Sequence, residues 1–258
     1  MERPLVIDRA CRRAAAAFGG LGIVLVRIVG LPLVFGRAFH GPFLDRFAAE
    51  LEIGDSTTLI DGGRRNTGML TAGGVTADFL FDHSTGASWP VLSAALQSSS
   101  QQVVTGFQEG STIGSPALLC SANTTKLTPP AKAGTLLTVQ GYFKSEEDGV
   151  DFGVSLHANV AETGTWTSAG VDNGAATTNG GVAVIHVTSI AGGSPSVVVK
   201  IQHSADSLTW SDLLTFTTVA GLTKERIEVS GTVNRYVRCV GTFSSGTSIT
   251  PVVAFARR

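Results

Sequence analysis

Apolar and polar residues alternate along most of this chain with a period of two. Val75, Ala77, Phe79 and Phe81 alternate with Thr76, Asp78, Leu80 and Asp82, and Val197, Val199 and Ile201 with Val198, Lys200 and Gln202. That period belongs to half-buried β-strands. It predicts further strands near Gln102 to Phe107, Ala117 to Ala122, Leu136 to Phe143, Val150 to Leu156, Val182 to Thr188, Asp212 to Thr218, Arg226 to Val229, Tyr236 to Phe243 and Pro251 to Ala256. Pro251 has no N–H to give a ladder, so its strand is expected at an edge or beginning there. In the strand from Val150, residues Val150, Phe152, Val154 and Leu156 are expected to face inward together.

One stretch has helical spacing. In Ser88-Trp89-Pro90-Val91-Leu92-Ser93-Ala94-Ala95-Leu96, Ser88 can cap, Pro90 suits a first turn, and Trp89, Leu92 and Leu96 share a face. The expected fold is therefore mainly β: a sandwich or barrel domain with one short helix, followed by a second small β-sandwich. The expected divisions are an arm over 1–40, a first domain over 41–162, a linker over 163–181 and a C-terminal sandwich over 182–258. The linker reading rests on GTWTSAGVDNGAATTNGG, which is rich in Gly, Thr, Asn and Ala and lacks apolar periodicity. The last segment carries its own inward set (Ile185, Val187, Val199, Ile201, Phe216, Ile227, Val237, Phe243, Phe255) and is expected to close a core unaided.

Composition adds to this picture without redirecting it. The chain has 258 residues, only 15% of them charged, 31 glycines and a formal net charge of -1. Bulk electrostatics therefore mark neither a nucleic-acid binder nor a binder of acidic partners. The first forty residues stand apart, with six arginines against two acids, a local charge of about +4. Residues 14–26 look superficially like the apolar core of a signal peptide, but Arg27 stops them short of a membrane span. A weak signal peptide, a weak anchor, an assembly arm and an upstream translation start that adds non-native residues all remain open, the last two favoured together. No stable membrane partner is expected.

The candidate chemistry is sparse. His203, Asp206 and Ser207 lie within one hairpin, and no G-x-S-x-G elbow occurs, so a hydrolase ranks last among the readings. Glu146, Glu147 and Asp148 project in different directions and read as a solvated hairpin tip rather than a calcium loop. Cys11, Cys120 and Cys239 lack metal-ligand spacing; Cys239 shares parity with Val237 and reads as a small buried hydrophobe. No catalytic residue, cofactor or metal ligand is assigned. Trp210, Tyr236 and Trp166 are possible stacking platforms for sugar rings if exposed, which defines the alternative function of a carbohydrate-binding or adhesive sandwich on a virion or cell surface. Trp210 and Leu214 are expected to pack inward, with His203, Asp206 and Ser207 at the rim.

Three stretches carry a resemblance: GPFLDRFAAELEIGDSTTLIDGGRRNTGMLTAGGVTADFLFD, HSTGASWPVLSAAL and RYVRCVGTFSSGTSITPVVAFARR. From about residue 40 to 258 the chain resembles the major tail tube proteins of long-tailed bacteriophages, notably those of actinobacterial phages and related prophages. Its C-terminal part resembles the immunoglobulin-like or galactose-binding-like sandwich some of them carry. The resemblance implies a virion protein, assembled in the host cytoplasm, that forms stacked homohexameric rings with other tail proteins as partners. Double-stranded DNA would pass through the resulting tube unbound, and a near-neutral chain suits a conduit that must not grip phosphates.

Overall fold

In the computed structural model of the chain, residues 21–27, 34–39, 47–55, 66–85, 88–98, 101–107, 111–129, 137–145 and 149–258 are described, with side chains treated from residue 73 onward. Among the described residues the fold is mainly β, with two antiparallel sheets and one short helix, and no barrel closes. The strands are β1 (Leu21–Arg27), β2 (Val34–Phe39), β3 (Phe47–Asp55), β4 (Asn66–Leu80), β5 (Gln102–Phe107), β6 (Pro116–Thr128), β7 (Thr138–Ser145) and β8 (Asp151–His157). They continue with β9 (Trp166–Thr167), β10 (Val171–Asp172), β11 (Gly181–Ala191), β12 (Ser196–Ser204), β13 (Ser211–Thr215), β14 (Lys224–Val229), β15 (Tyr236–Ser245) and β16 (Ser248–Arg257). The helix α1 (Ser88–Gln97) lies between β4 and β5.

The larger sheet runs β14-β11-β16-β8-β6-β5-β1-β2 and forks at β6. One edge of β6 pairs with β8 through Pro116–Leu119 and then with β7 through Ala122–Thr128. The branch continues from β7 to β4 and from β4 to β3. The smaller sheet runs β10-β15-β12-β13, with β9 also on β15.

Two pairs of strands are covered on both faces. From β11, Ala183, Ile185 and Val187 point into a core shared with Val197, Val199, Ile201, Val237 and Cys239 of the smaller sheet. The alternate residue Val184, with Val252, Ala254 and Ala256 of β16, packs the other way, onto Phe107, Ala117 and Leu119. On β6, Cys120 and Ala122 then face a third core with Val75, Ala77, Phe79, Val139 and Phe143, closed by Val91, Leu92 and Ala95 of α1. This two-sided burial explains the nearly unbroken apolar runs VAVIHV and PVVAFA, because neither face needs to meet water.

Several expectations are met and several corrected. Val75, Ala77 and Phe79 are buried, and Thr76 and Asp78 between them are half-buried, as the alternation requires. The helix forms, but its buried face is Ser88, Val91, Leu92 and Ala95, and Leu96 is 42% exposed. The Ser88 hydroxyl accepts from the Asp82 N–H, tying the helix to the preceding turn. Phe152 is 64% exposed rather than inward-facing. Pro251 lies inside a central strand, between β11 and β8, and not at an edge. It is tolerated because the β11–β16 register shifts between Val187 and Ser189, directly opposite, and β8 pairs with β16 only from Val253 onward.

The division expected at 163–181 is not a gap in the pairing. That segment holds β9 and β10, both hydrogen-bonded to β15, and Trp166 within it is 8% exposed. Leu156 and Val154 of β8 join the core that residues 182–258 were expected to close alone. In the N-terminal forty, β1 pairs with β5 from Ile23 opposite Phe107 to Arg27 opposite Val103, and with β2 on its other side. Residues 1–20, Cys11 among them, lie outside the described residues.

The Trp166 ring lies over Gly241, where any Cβ would overlap it. Gly241→Ala should therefore destabilise the protein by about 1–3 kcal/mol. The neighbouring Thr242→Ala, on an exposed position, should stay within about 0.5 kcal/mol. Equilibrium denaturation of both variants checks this. A chain ending at Glu162 removes β11 and β16 from Phe107, Ala117 and Leu119. It should aggregate or fail to unfold cooperatively, as size-exclusion chromatography and circular dichroism would report.

Candidate functional site

The polar residues of the β12–β13 hairpin are occupied in building it. Asp206 Oδ1 accepts from the backbone N–H groups of Leu208 and Thr209 at 2.9 and 2.8 Å and from the Ser204 hydroxyl at 2.9 Å. These bonds, the backbone ones first, hold its carboxyl down at about 2. Ser207 takes a left-handed φ of 61° in the same turn, and its carbonyl accepts from Trp210 Nε1 at 3.1 Å. His203 Nδ1 accepts from the Asn234 N–H at 3.2 Å. Burial, then the nearby Arg257, push its pKa below the ordinary histidine value, which favours the neutral ring this bond needs. His203 and Asp206 thus serve separate loops, and no nucleophile–base–acid relay links them.

The remaining sequence candidates scatter. Cys120 and Cys239 are buried, and desolvation pushes both thiols up to about 12, so neither is a nucleophile at neutral pH. Trp166 is a core residue whose ring edge meets His157 and Phe243. Tyr236 lies under the Arg235 guanidinium, 5.0 Å from its ring centroid. Glu146, Glu147 and Asp148 lie outside the described residues. Among the described residues, no group of His, Cys, Asp and Glu could hold a metal ion.

Side chains converge instead on the outer face of the smaller sheet, opposite its core. Pairing places Asp212 beside Gln202 and Gln202 beside Arg238 across β13, β12 and β15. Lys200 Nζ donates to Asp212 Oδ2 at 2.7 Å, and Gln202 Nε2 donates to Asp212 Oδ1 at 2.8 Å. Arg238 donates from Nε and Nη2 to Gln202 Oε1 at 2.9 and 2.8 Å. Its guanidinium carbon stands 4.1 Å from the centroid of Trp210. Trp210 is accordingly half-buried on this outer face, not inward as expected, while Leu214 does enter the core. Beside the row, Arg235 grips Asp172 through two bonds of 2.7 and 2.6 Å. Sequence reasoning named the tryptophan but missed the row; the cross-strand spacing of Gln202 and Arg238 appears only once the register is known.

A second feature lies in the larger sheet. Among the described residues, strand β3 pairs only with β4, and β4 meets β7 only through Gly74–Leu80. The stretch of β4 from Asn66 to Gly73, with its partners on β3, is therefore a two-stranded ribbon without a third hydrogen-bonded strand among the described residues.

No protein-family model matches the chain, and no curated protein matches it. Among solved structures it is similar to the Dit protein of phage SPP1, described as a paradigm of the hub adsorption apparatus in phages infecting Gram-positive bacteria. That match has 13% identity, 82% of this chain and 89% of that one covered, and a TM-score of 0.26. A chain of the infectious bursal disease virus Gx strain matches at 11% identity, covering 91% and 67%, with a TM-score of 0.24. A chain of the phage p2 baseplate in its activated conformation matches at 8% identity, covering 93% and 99%, with a TM-score of 0.26. TM-scores this low assign no fold partner, and the fold rests on its own pairing.

Asp206 carries a pH-dependent part of the hairpin's stability. Its folded-state pKa lies below the unfolded value of about 3.9, so this contribution is fully present above that value and is lost as pH falls toward 2. The melting-temperature difference between the native chain and Asp206→Ala should therefore be largest at neutral pH and shrink between about pH 4 and pH 2. A constant difference across that window contradicts the assignment.

Proposed function

We propose that the chain is a structural subunit of a bacteriophage tail that self-assembles into stacked hexameric rings, forming a tube through which double-stranded DNA passes during ejection. The observation that carries this reading is the β3–β4 ribbon. A two-stranded ribbon alone is marginal in water and presents two rows of unpaired N–H and C=O groups. Strands from a neighbouring subunit are the natural cover for such edges, since main-chain pairing needs no particular side chain. The ribbon also falls within the stretch GPFLDRFAAELEIGDSTTLIDGGRRNTGMLTAGGVTADFLFD, on which the resemblance to tail tube proteins rests. The near-neutral charge adds support, because a conduit for DNA works best without phosphate-binding stripes. In this reading the partners are other copies of the chain and other tail proteins.

The test shortens the ribbon. Ala49 stands opposite Gly73, so residues 50–72 can be replaced by a two-residue Asn-Gly turn that joins them. Electron microscopy of the full chain at high concentration should show rings or tubes. The shortened chain, folded and melting cooperatively by circular dichroism, should remain monomeric. His203→Ala and Asp206→Ala should assemble like the native chain. A full chain that stays monomeric, or a shortened one that still polymerises, counts against the proposal.

A further inference from the structure

Among the described residues, one cation on the outer face of the smaller sheet has no carboxylate partner. Asp212 is matched by Lys200, and Asp172 by Arg235. Arg238 faces only the neutral carbonyl of Gln202 and the Trp210 ring. Two of its nitrogens are committed to Gln202, and Nη1 donates to no other described residue. Desolvation alone holds its pKa below the usual arginine value, with no carboxylate to offset that effect. A guanidinium held by two bonds and stacked on an indole has already lost most of its rotamer freedom, so a ligand would not have to order it.

Donor capacity is also left over along this row of side chains. After the bonds described, Arg238 Nη1, the Lys200 ammonium and the second N–H of the Gln202 amide all have donor capacity left. Of the acceptors in this row, Asp212 is already shared by Lys200 and Gln202, and Gln202 Oε1 is taken by Arg238. A surplus of donors around one unbalanced positive charge suits an acceptor-rich, anionic ligand.

We propose that this face binds an anionic saccharide, its carboxylate or phosphate taken by the free edge of the Arg238 guanidinium and its sugar ring lying beside Trp210. A fixed guanidinium fork matches the planar geometry of a carboxylate or phosphate. Hydroxyl groups, which both donate and accept, suit the mixture offered by Lys200, Gln202 and Asp212. An extended peptide would instead add to a sheet edge. Nucleic acid calls for a run of cations, and this patch has a single unbalanced one. The proposal does not depend on tube assembly.

Affinity electrophoresis of the full chain in native gels tests it, with polygalacturonate, a phosphorylated dextran, neutral dextran or double-stranded DNA cast into the gel. One or both anionic polymers should retard the native protein, and dextran and DNA should not. Which polymer acts identifies the group as carboxylate or phosphate. Arg238→Gln should weaken the retardation at least about tenfold, as expected when a charge-assisted pair is lost. Arg238→Lys, which keeps the charge but loses the fork, should lie between, and carries the test if Arg238→Gln does not fold. Lys126→Gln, on β6 and away from the patch, should behave like the native chain. Retardation by neither anionic polymer, equal losses in Lys126→Gln and Arg238→Gln, or Arg238-dependent retardation by DNA would each overturn the proposal.

Discussion

The layer between β5–β6 and β11–β16 is the constraint on which the rest of the structure depends. Its residues are mostly small (Ala117, Val184, Val252, Ala254, Ala256), with Phe107 and Leu119 filling the remaining space. Small side chains let two parts of one curling sheet approach closely, so each strand pair can bury its other face against a different layer. Within this apolar contact His186, fully buried, meets the Thr105 hydroxyl at 3.1 Å. A buried polar pair adds little net stability when bonded but costs considerably if a register slip separates it. It therefore discriminates the native alignment of the two layers from shifted ones, which the alanines alone would do weakly.

The edge of the same sheet is closed by charge rather than by apolar contact. Arg226 on β14 reaches Asp151 on β8 at 3.3 Å and Glu228 at 2.8 Å, and Arg258 reaches the same Asp151 at 2.9 Å. Asp151 and Arg226 are largely buried, so the attraction within this group is offset by desolvation and the net stabilisation is small. Its value is directional. Bonds from β14 and from the end of β16 converge on one carboxylate at the start of β8, and those three strands can meet there in only one arrangement. The Arg226 and Asp151 charges also act on Cys120 in opposite senses, leaving burial as the dominant influence on that thiol.

Strand existence was legible in the sequence because alternation reports burial directly. Of the inward set, Ile185, Val187, Val199, Ile201, Phe216, Val237 and Phe255 lie in one core, and Ile227 and Phe243 are partly buried against it. What alternation could not reveal was where a strand sits in its sheet. Pro251 reads as an edge residue because a proline removes a donor, and only the register shows a bulge opposite to absorb that loss. Phe152 has the parity of Val154 and Leu156, yet it lies opposite Leu118, where β8 leaves the interior at the fork. The stretch 163–181 looked like a linker because β9 and β10 are two residues each, too short to show a period. Their order comes from pairing with β15 and from Trp166 seated on Gly241, which are both long-range facts.

Trp210 shows how the same limit applies to sites. A large aromatic between two strands is most simply read as core, since burying it removes much apolar area from water. Here the core is already filled from that side by Leu214 and Phe216, and the indole turns outward onto Arg238. That placement depends on Arg238 standing opposite Gln202, a pairing of residues 36 positions apart in sequence. Once paired, the two make a planar surface that an indole can cover without losing its own N–H, which finds the Ser207 carbonyl. The strained φ of Ser207 follows from the same turn, in which Asp206 collects the backbone N–H groups and aims that carbonyl at the ring. The hairpin that first looks like a hydrolase constellation is thus a support: its aspartate and serines shape the turn, and the turn sets the tryptophan on the one cation of this face that no carboxylate balances.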